Sequence, residues 1–187
     1  NPCEDGDNVR VWGDQSGNNN DAEDANTDPD WNEVALNFNP AVDFSVVGNN
    51  GGLTMDDDAD INSGSATNKT IIVAFETGAS LNGHQMIFEQ GGSQDNINIY
   101  VYNGDLYCDY VDNNNDNFGS VAVTANTAYV LILVADGSNT DFTAYLNGTQ
   151  VFADNTAPSS WPGDNDDIGI GRIVGSAQYH NDGFENA

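Results

Sequence analysis

A chain of 187 residues whose 30 acidic side chains meet only three basic ones carries a formal charge of −27. Nucleic-acid binding needs lysines and arginines to displace phosphate counterions, and Arg10, Lys69 and Arg172 are too few for that, so nucleic acid is excluded as a partner. No apolar stretch approaches the ~20 residues of a membrane-spanning helix, so membrane insertion is not expected.

Helical spacing never persists beyond two turns, whereas short β-branched and aromatic runs bounded by Gly, Asn or Asp recur along the chain. They predict strands over Ala41–Val46, Lys69–Glu76, Gln85–Glu89, Ile97–Tyr102, Asp105–Val111, Ser120–Val123, Ala128–Ala135, Phe142–Leu146, Thr149–Ala153 and Asp167–Arg172. Strands without intervening helices imply an all-β fold of two antiparallel sheets packed face to face. No repeat or linker divides the chain, so 1–187 reads as one domain.

Asn103-Gly104 and Asn147-Gly148 sit between alternating runs, and both residues of an Asn-Gly pair accept the positive φ of a tight hairpin turn. A two-residue loop at Asn103-Gly104 sets Tyr102 opposite Asp105, Tyr100 opposite Tyr107 and Asn98 opposite Asp109. Alternation then gives Ile97, Ile99, Val101, Leu106, Cys108 and Tyr110 to the core. The other face carries Asn98, Tyr100, Tyr102, Asp105, Tyr107 and Asp109. Tyrosine rings offer flat surface to sugar C–H groups, and neighbouring Asp and Asn accept hydroxyl hydrogen bonds, so Asn98, Tyr100, Tyr102, Tyr107 and Asp109 form a candidate ligand surface. A solvated sheet face stabilised by the Tyr100–Tyr107 pair is the plainer alternative.

Three acidic segments are candidate cation sites: Asp56 to Asp60, Asp112 to Asp116 and Asp164 to Asp167. Calcium takes six to eight oxygens from carboxylates, amides and carbonyls. Asp112, Asp116, Asp164 and Asp166 are the candidate Ca²⁺ ligands, since both of their segments are read as rim loops at strand ends. The first segment begins like an EF-hand, but Ile61 stands where that loop needs Gly and Thr67 where it needs Glu. Hydrated acidic loops that only confer solubility remain the alternative. Trp161 precedes the third segment and either stacks on a ligand or caps the core. Asp14 and Ser16 can close a turn on their own backbone beside Trp12, which reads as a structural anchor. Cys3 and Cys108 either pair, as export would favour, or remain thiols.

Catalysis finds little support. His84 and His180 stand in polar loop contexts, and Glu89 and Glu76 are followed by Gln90-Gly91-Gly92 and Thr77-Gly78-Ala79. Neither gives the facing carboxylates that glycoside hydrolysis requires.

Five motifs occur in a fixed order: Trp12-x-Asp14-x-Ser16-Gly17-Asn18, Asn39-Pro40-Ala41-Val42-x-Phe44, Glu89-x-Gly91-Gly92, Tyr145-Leu146-Asn147-Gly148 and Ile168-Gly169-Ile170-Gly171. Together, from about Val9 to Asn186, they resemble the laminin G-like, concanavalin A-like jelly-roll domains of large secreted and adhesin proteins of bacteria. The resemblance implies a calcium-stabilised jelly roll without enzymatic activity, extracellular or on the cell surface, recognising glycans or surface proteins or serving as a spacer. A structural module of a surface filament and a catalytic polysaccharide-acting jelly roll are the rival readings. The resemblance also implies a last strand beyond Ile168–Gly171 that would start about where this chain stops. A neighbouring domain or chain would then complete the sheet edge next to the first strand.

Overall fold

The computed structural model describes residues 4–24, 27–36, 38–45, 51–59, 61–62, 66–92, 95–112, 115–161 and 166–174, with backbone alone at 115 and 116. The described chain is all-β. Its strands are β1 (Val11–Trp12), β2 (Ala22–Asp24), β3 (Asp30–Leu36), β4 (Asn39–Asp43), β5 (Leu53–Met55), β6 (Asn68–Glu76), β7 (His84–Gly91), β8 (Asp95–Tyr102), β9 (Asp105–Asp112), β10 (Asn115–Ala122), β11 (Ala128–Asp136), β12 (Asp141–Leu146), β13 (Thr149–Asp154) and β14 (Ile168–Ile170). An eight-stranded antiparallel sheet in the order β1-β2-β5-β14-β7-β8-β9-β10 faces a four-stranded sheet, β13-β12-β11-β6. A separate hairpin pairs β3 with β4. Among the described residues no helix is long and apolar enough to cross a membrane.

The hairpin register follows from the turns. Asn103 and Asn147 hold φ of 49°, followed by Gly104 at 98° and Gly148 at 78°, which matches the right-handed twist of the strands they join. Tyr102 pairs with Asp105, Tyr100 with Tyr107 and Asn98 with Asp109, as expected. Ile97, Ile99, Val101, Leu106, Cys108 and Tyr110 pack with Leu131, Leu133, Phe142 and Ala144 of the opposing sheet. Gly119 on β10 lies beneath Phe152 of β13, where a Cβ would strike the ring, so a side chain there would force the two sheets apart.

Three expectations change. Asp112 and Asp116 are paired strand residues rather than parts of a rim loop, because Asp112 ends β9 opposite Asn115 and Asp116 lies on β10 opposite Val111. Trp161 is buried in the core, ring to edge with Tyr110 at 5.2 Å and bridged to Ala66, so it caps the sandwich and is not available for stacking on a ligand. Trp12, read as an anchor, is half exposed on the edge strand β1. The turn beside it closes as expected: Asp14 accepts from Ser16 N at 2.7 Å, Ser16 Oγ at 2.6 Å and Asn18 and Asn20 N at 3.2 Å. Cys108 is a free, buried thiol; Cys3 and residues 175–187, at whose end the missing strand was expected to start, lie outside the described residues.

Candidate functional site

The face of the eight-stranded sheet turned away from the core carries a polar row. Opposed pairs place Glu23, Thr54, Gly169, Glu89, Asn98, Asp109 and Phe118 in one line across β2, β5, β14, β7, β8, β9 and β10. A one-residue bulge in β7 makes this possible. Before it Met86 pairs with Tyr100; after it Phe88 pairs with Ile99 and Glu89 with Asn98. Without the extra residue, Phe88 would oppose Asn98 and Glu89 would point into the apolar core, which no carboxylate tolerates without a partner.

The middle of the row, from Gly169 to Asp109, is closed, not open. Asn98, Tyr100 and Asp109 are each 0% exposed, which overturns their reading as part of an exposed ligand surface, and Glu89 beside them is 0% exposed too. Over Gly169 and Glu89 the cover is a roof. Residues 171–174 fold back so that Val174 Cγ2 and the Arg172 carbonyl occupy the space a side chain at Gly169 would need. The Val174 N–H then donates to Glu89 Oε2 at 3.1 Å. Asn98 Nδ2 donates to Asp109 Oδ1 at 2.7 Å and to Asn96 Oδ1 at 2.8 Å, and Asn96 Nδ2 to the Gly92 carbonyl at 2.7 Å. Burial lowers the pKa of Arg172, while the charges of Glu89 and Asp167 act to raise it.

Beside the row runs a series of aromatic rings. His84 stacks on Tyr102 at 3.9 Å, Tyr100 lies parallel to Tyr107 at 5.1 Å, and Tyr107 meets Phe118 at 6.0 Å. Burial depresses the His84 imidazole to about 4, so its neutral form persists in the stack. The series starts inside the sheet and ends at its edge: Tyr102 and Tyr107 are half-buried, and Phe118 on β10 is 39% exposed. Asp105 and Ser120 share this face, opposite Tyr102 and Tyr107. The accessible part of the site is therefore a platform of Tyr102, Tyr107 and Phe118 bordered by Asp105 and Ser120. Sequence reasoning named the two tyrosines and passed over Phe118, whose pairing with Asp109 becomes visible only once β10 is extended back to Asn115.

The acidic segments sit at the strand ends. Asp95 and Asp112 are directly opposed at one end of β8 and β9, an arrangement that is destabilising for like charges. Nearby, Tyr110 Oη donates to Asp154 Oδ2 at 2.7 Å, and burial together with Asp154 and Asp112 pushes the phenol pKa up. Buried Asn62 joins two other segments: its Oδ1 accepts from Asp58 N at 2.9 Å and its Nδ2 donates to the Asp166 carbonyl at 2.6 Å. Asp164 lies outside the described residues, and only the backbone of Asp116 is described. Among the described residues no group of three or more His, Cys, Asp or Glu side chains converges as a metal site.

Glu89 and Asp109 lie two strands apart with Asn98 between them, and both are fully buried.

No protein-family model matches this chain, and no curated protein matches it. Solved structures do. The botulinum neurotoxin serotype D binding domain is similar with a TM-score of 0.59 at 10% identity, covering 90% of this chain and 44% of that one. The serotype G binding domain gives 0.56 at 12%, covering 91% and 39%. Domains LG4-5 of the mouse laminin alpha1 chain give 0.52 at 9%, covering 69% and 33%. This chain spans less than half of each of these structures. At such identities the likeness is one of fold: an antiparallel jelly-roll sandwich.

Proposed function

We propose that this chain is a non-catalytic, lectin-like binding module of an extracellular bacterial surface adhesin, taking a saccharide or similarly polar ligand on the Tyr102–Tyr107–Phe118 platform. One observation carries the reading: a ring series anchored on a buried polar floor opens at the sheet edge, with Asp105 and Ser120 alongside. Flat rings next to oxygen acceptors suit a ligand that is apolar on its ring faces and hydroxylated at its edges. The neurotoxin domains of similar fold are themselves named binding domains, which agrees with a binding role.

Calcium belongs to the same proposal. The opposed Asp95–Asp112 pair and the Asp166 segment held by Asn62 offer carboxylate and carbonyl oxygens at the strand ends, the donor type calcium prefers. Asp112, Asp116 and Asp166, with Asp164, would hold it there. Its contribution would be to neutralise part of the acidic surface and brace the rim.

A glycan array probed in calcium and again in chelator tests the proposal. Binding to a restricted sugar set, weakened by chelation, is expected. A blank array from folded, calcium-loaded protein contradicts the lectin reading.

A further inference from the structure

Every lysine and arginine of this chain is committed away from the aromatic platform. The sequence holds three in all, against 30 acidic residues. Arg10 pairs with Asp28 at 3.3 Å, next to β1 at the far edge of the eight-stranded sheet. Lys69 lies on β6 of the other sheet and donates to the Ile61 carbonyl at 3.1 Å. Arg172 follows β14 and lies beside the charges of Glu89 and Asp167. None stands next to Tyr102, Tyr107 or Phe118 in the register of β8, β9 and β10.

The platform itself holds a carboxylate. Asp105 is directly opposite Tyr102 across the β8–β9 hairpin, and Tyr107 is the next residue along β9 on the same face. Side chains so placed are neighbours, about 5 Å apart across a pair and ~7 Å on the diagonal. The two tyrosine rings stand 6.4 Å apart and are inclined at 58°. Asp105 is half-buried, and among the described residues nothing bonds to its carboxylate. Burial costs a carboxylate hydration, which a charge-assisted bond to an ammonium restores. The ring faces add to this, because an aromatic quadrupole attracts a cation within about 6 Å of its centroid. Calcium does not reverse the sign here. Asp95 and Asp112 lie seven residues away, at the opposite end of the same two strands, which at ~3.3 Å per residue is about 23 Å. An ion held by those carboxylates would not bridge an acidic sugar to the rings.

Given a saccharide on that platform, the reading on which this step rests, we infer that its class is a sugar carrying a free ammonium, such as a glucosamine unit, and that acidic sugars are rejected. The ammonium sits against Asp105 beside the inclined rings of Tyr102 and Tyr107, and the apolar face of the sugar lies toward Phe118. A uronic or sulfated residue in the same place would set its anion against Asp105 with no lysine or arginine in reach. The acidic surface extends this selection beyond contact, because a field of one sign concentrates cations and repels anions.

The test titrates disaccharides of glucosamine, N-acetylglucosamine and galacturonic acid into the labelled whole chain, in calcium at about pH 6, where an amine is charged. The free amine is expected to bind about tenfold tighter than its acetylated form, the scale of one charge-assisted hydrogen bond. Its binding is expected to weaken as salt rises to about 0.5 M, and the uronide is expected not to bind. Asp105→Asn is expected to bring the amine down to the acetylated sugar. Glu33→Gln makes the same charge change on the β3–β4 hairpin and is expected to retain the preference, whereas general attraction to an acidic chain would respond equally to both variants. Equal affinity for the amine and its acetylated form, tighter binding of the uronide, or a preference that survives Asp105→Asn overturns the inference. Failure of all three disaccharides to bind overturns it as well. Tyr107→Ala then separates the two claims. An array sugar whose binding that variant weakens leaves the platform in place and removes only the charge selection; binding indifferent to it removes both.

Discussion

On one face of β8 and β9 stand Ile97, Ile99, Val101, Leu106, Cys108 and Tyr110; on the other stand Asn98, Tyr100, Tyr107 and Asp109. Except for half-buried Tyr107, all of these side chains are buried, but different forces hold them. The inner face is held by shape and apolar area. The outer one is held by directed bonds, Asn98 to Asp109 and Val174 to Glu89, around groups that water would otherwise solvate. Loss of a methyl group leaves a void, whereas loss of a donor leaves a buried acceptor unsatisfied. The inner face thus provides stability, and the outer one fixes the geometry that supports the aromatic platform.

Substitutions can break this contrast. Ile99→Ala, on the inner face at 0% exposure, is expected to cost about 2–5 kcal/mol by urea unfolding, the range for a truncated core aliphatic. Asn98→Ala removes the bonds to Asp109 and Asn96 and is expected to cost about 1–3 kcal/mol, while shifting the amide signals of Glu89 and Asp109 more than those of the inner residues. A cost at Asn98 below a few tenths of a kcal/mol would mean that the outer face is not held as described.

Acid sharpens the contrast further. His84 is depressed to about 4 by burial, so the fold favours its neutral form. Its contribution is complete above about 6.5, the usual value for the group, and is lost as pH falls toward 4. Stability of His84→Gln is expected to decline less than that of the native chain across that window, by thermal unfolding in matched buffers. The smallest effect belongs to the Asp14 turn. Bonds from Ser16, then from Asn20 and Asn18, hold its carboxyl near 2. The turn is stabilised above about 4 and loosens as pH falls through 2. Carbon chemical shifts of Asp14 followed through that range check this, and a midpoint near the ordinary value of 3.8 would contradict the bonding.

Much of this was legible in the sequence where local chemistry decides the structure. Both Asn-Gly turns fixed their hairpins, and period-two alternation assigned Ile97 to Tyr110 to the correct faces. Strands β1, β2, β3 and β5 escaped notice because Ala22–Asp24 or Leu53–Met55 have no β-branched run and exist only through their partners. The β7 bulge was hidden because Met86, Ile87 and Phe88 show no alternation from which to read a register. Burial of the outer face was hidden as well, since the Val174 contact to Glu89 joins residues 85 positions apart. Nothing in the composition of either strand distinguishes an open polar face from a roofed one. Trp161 was ambiguous for the same reason: its rim position did not reveal the rings of Tyr110 and Phe142 beneath it.

The central claim is that the open end of the aromatic series receives the ligand. Its most direct test is a chemical-shift titration of the labelled chain with the strongest-binding saccharide from the array, repeated on Tyr107→Ala. Perturbations centred on Tyr102, Asp105, Tyr107, Phe118 and Ser120, with affinity falling about tenfold in the variant, equivalent to about 1.4 kcal/mol, are expected. Perturbations confined to the β3–β4 hairpin or to the four-stranded sheet, with Tyr107→Ala binding unchanged, would place the site elsewhere and contradict it.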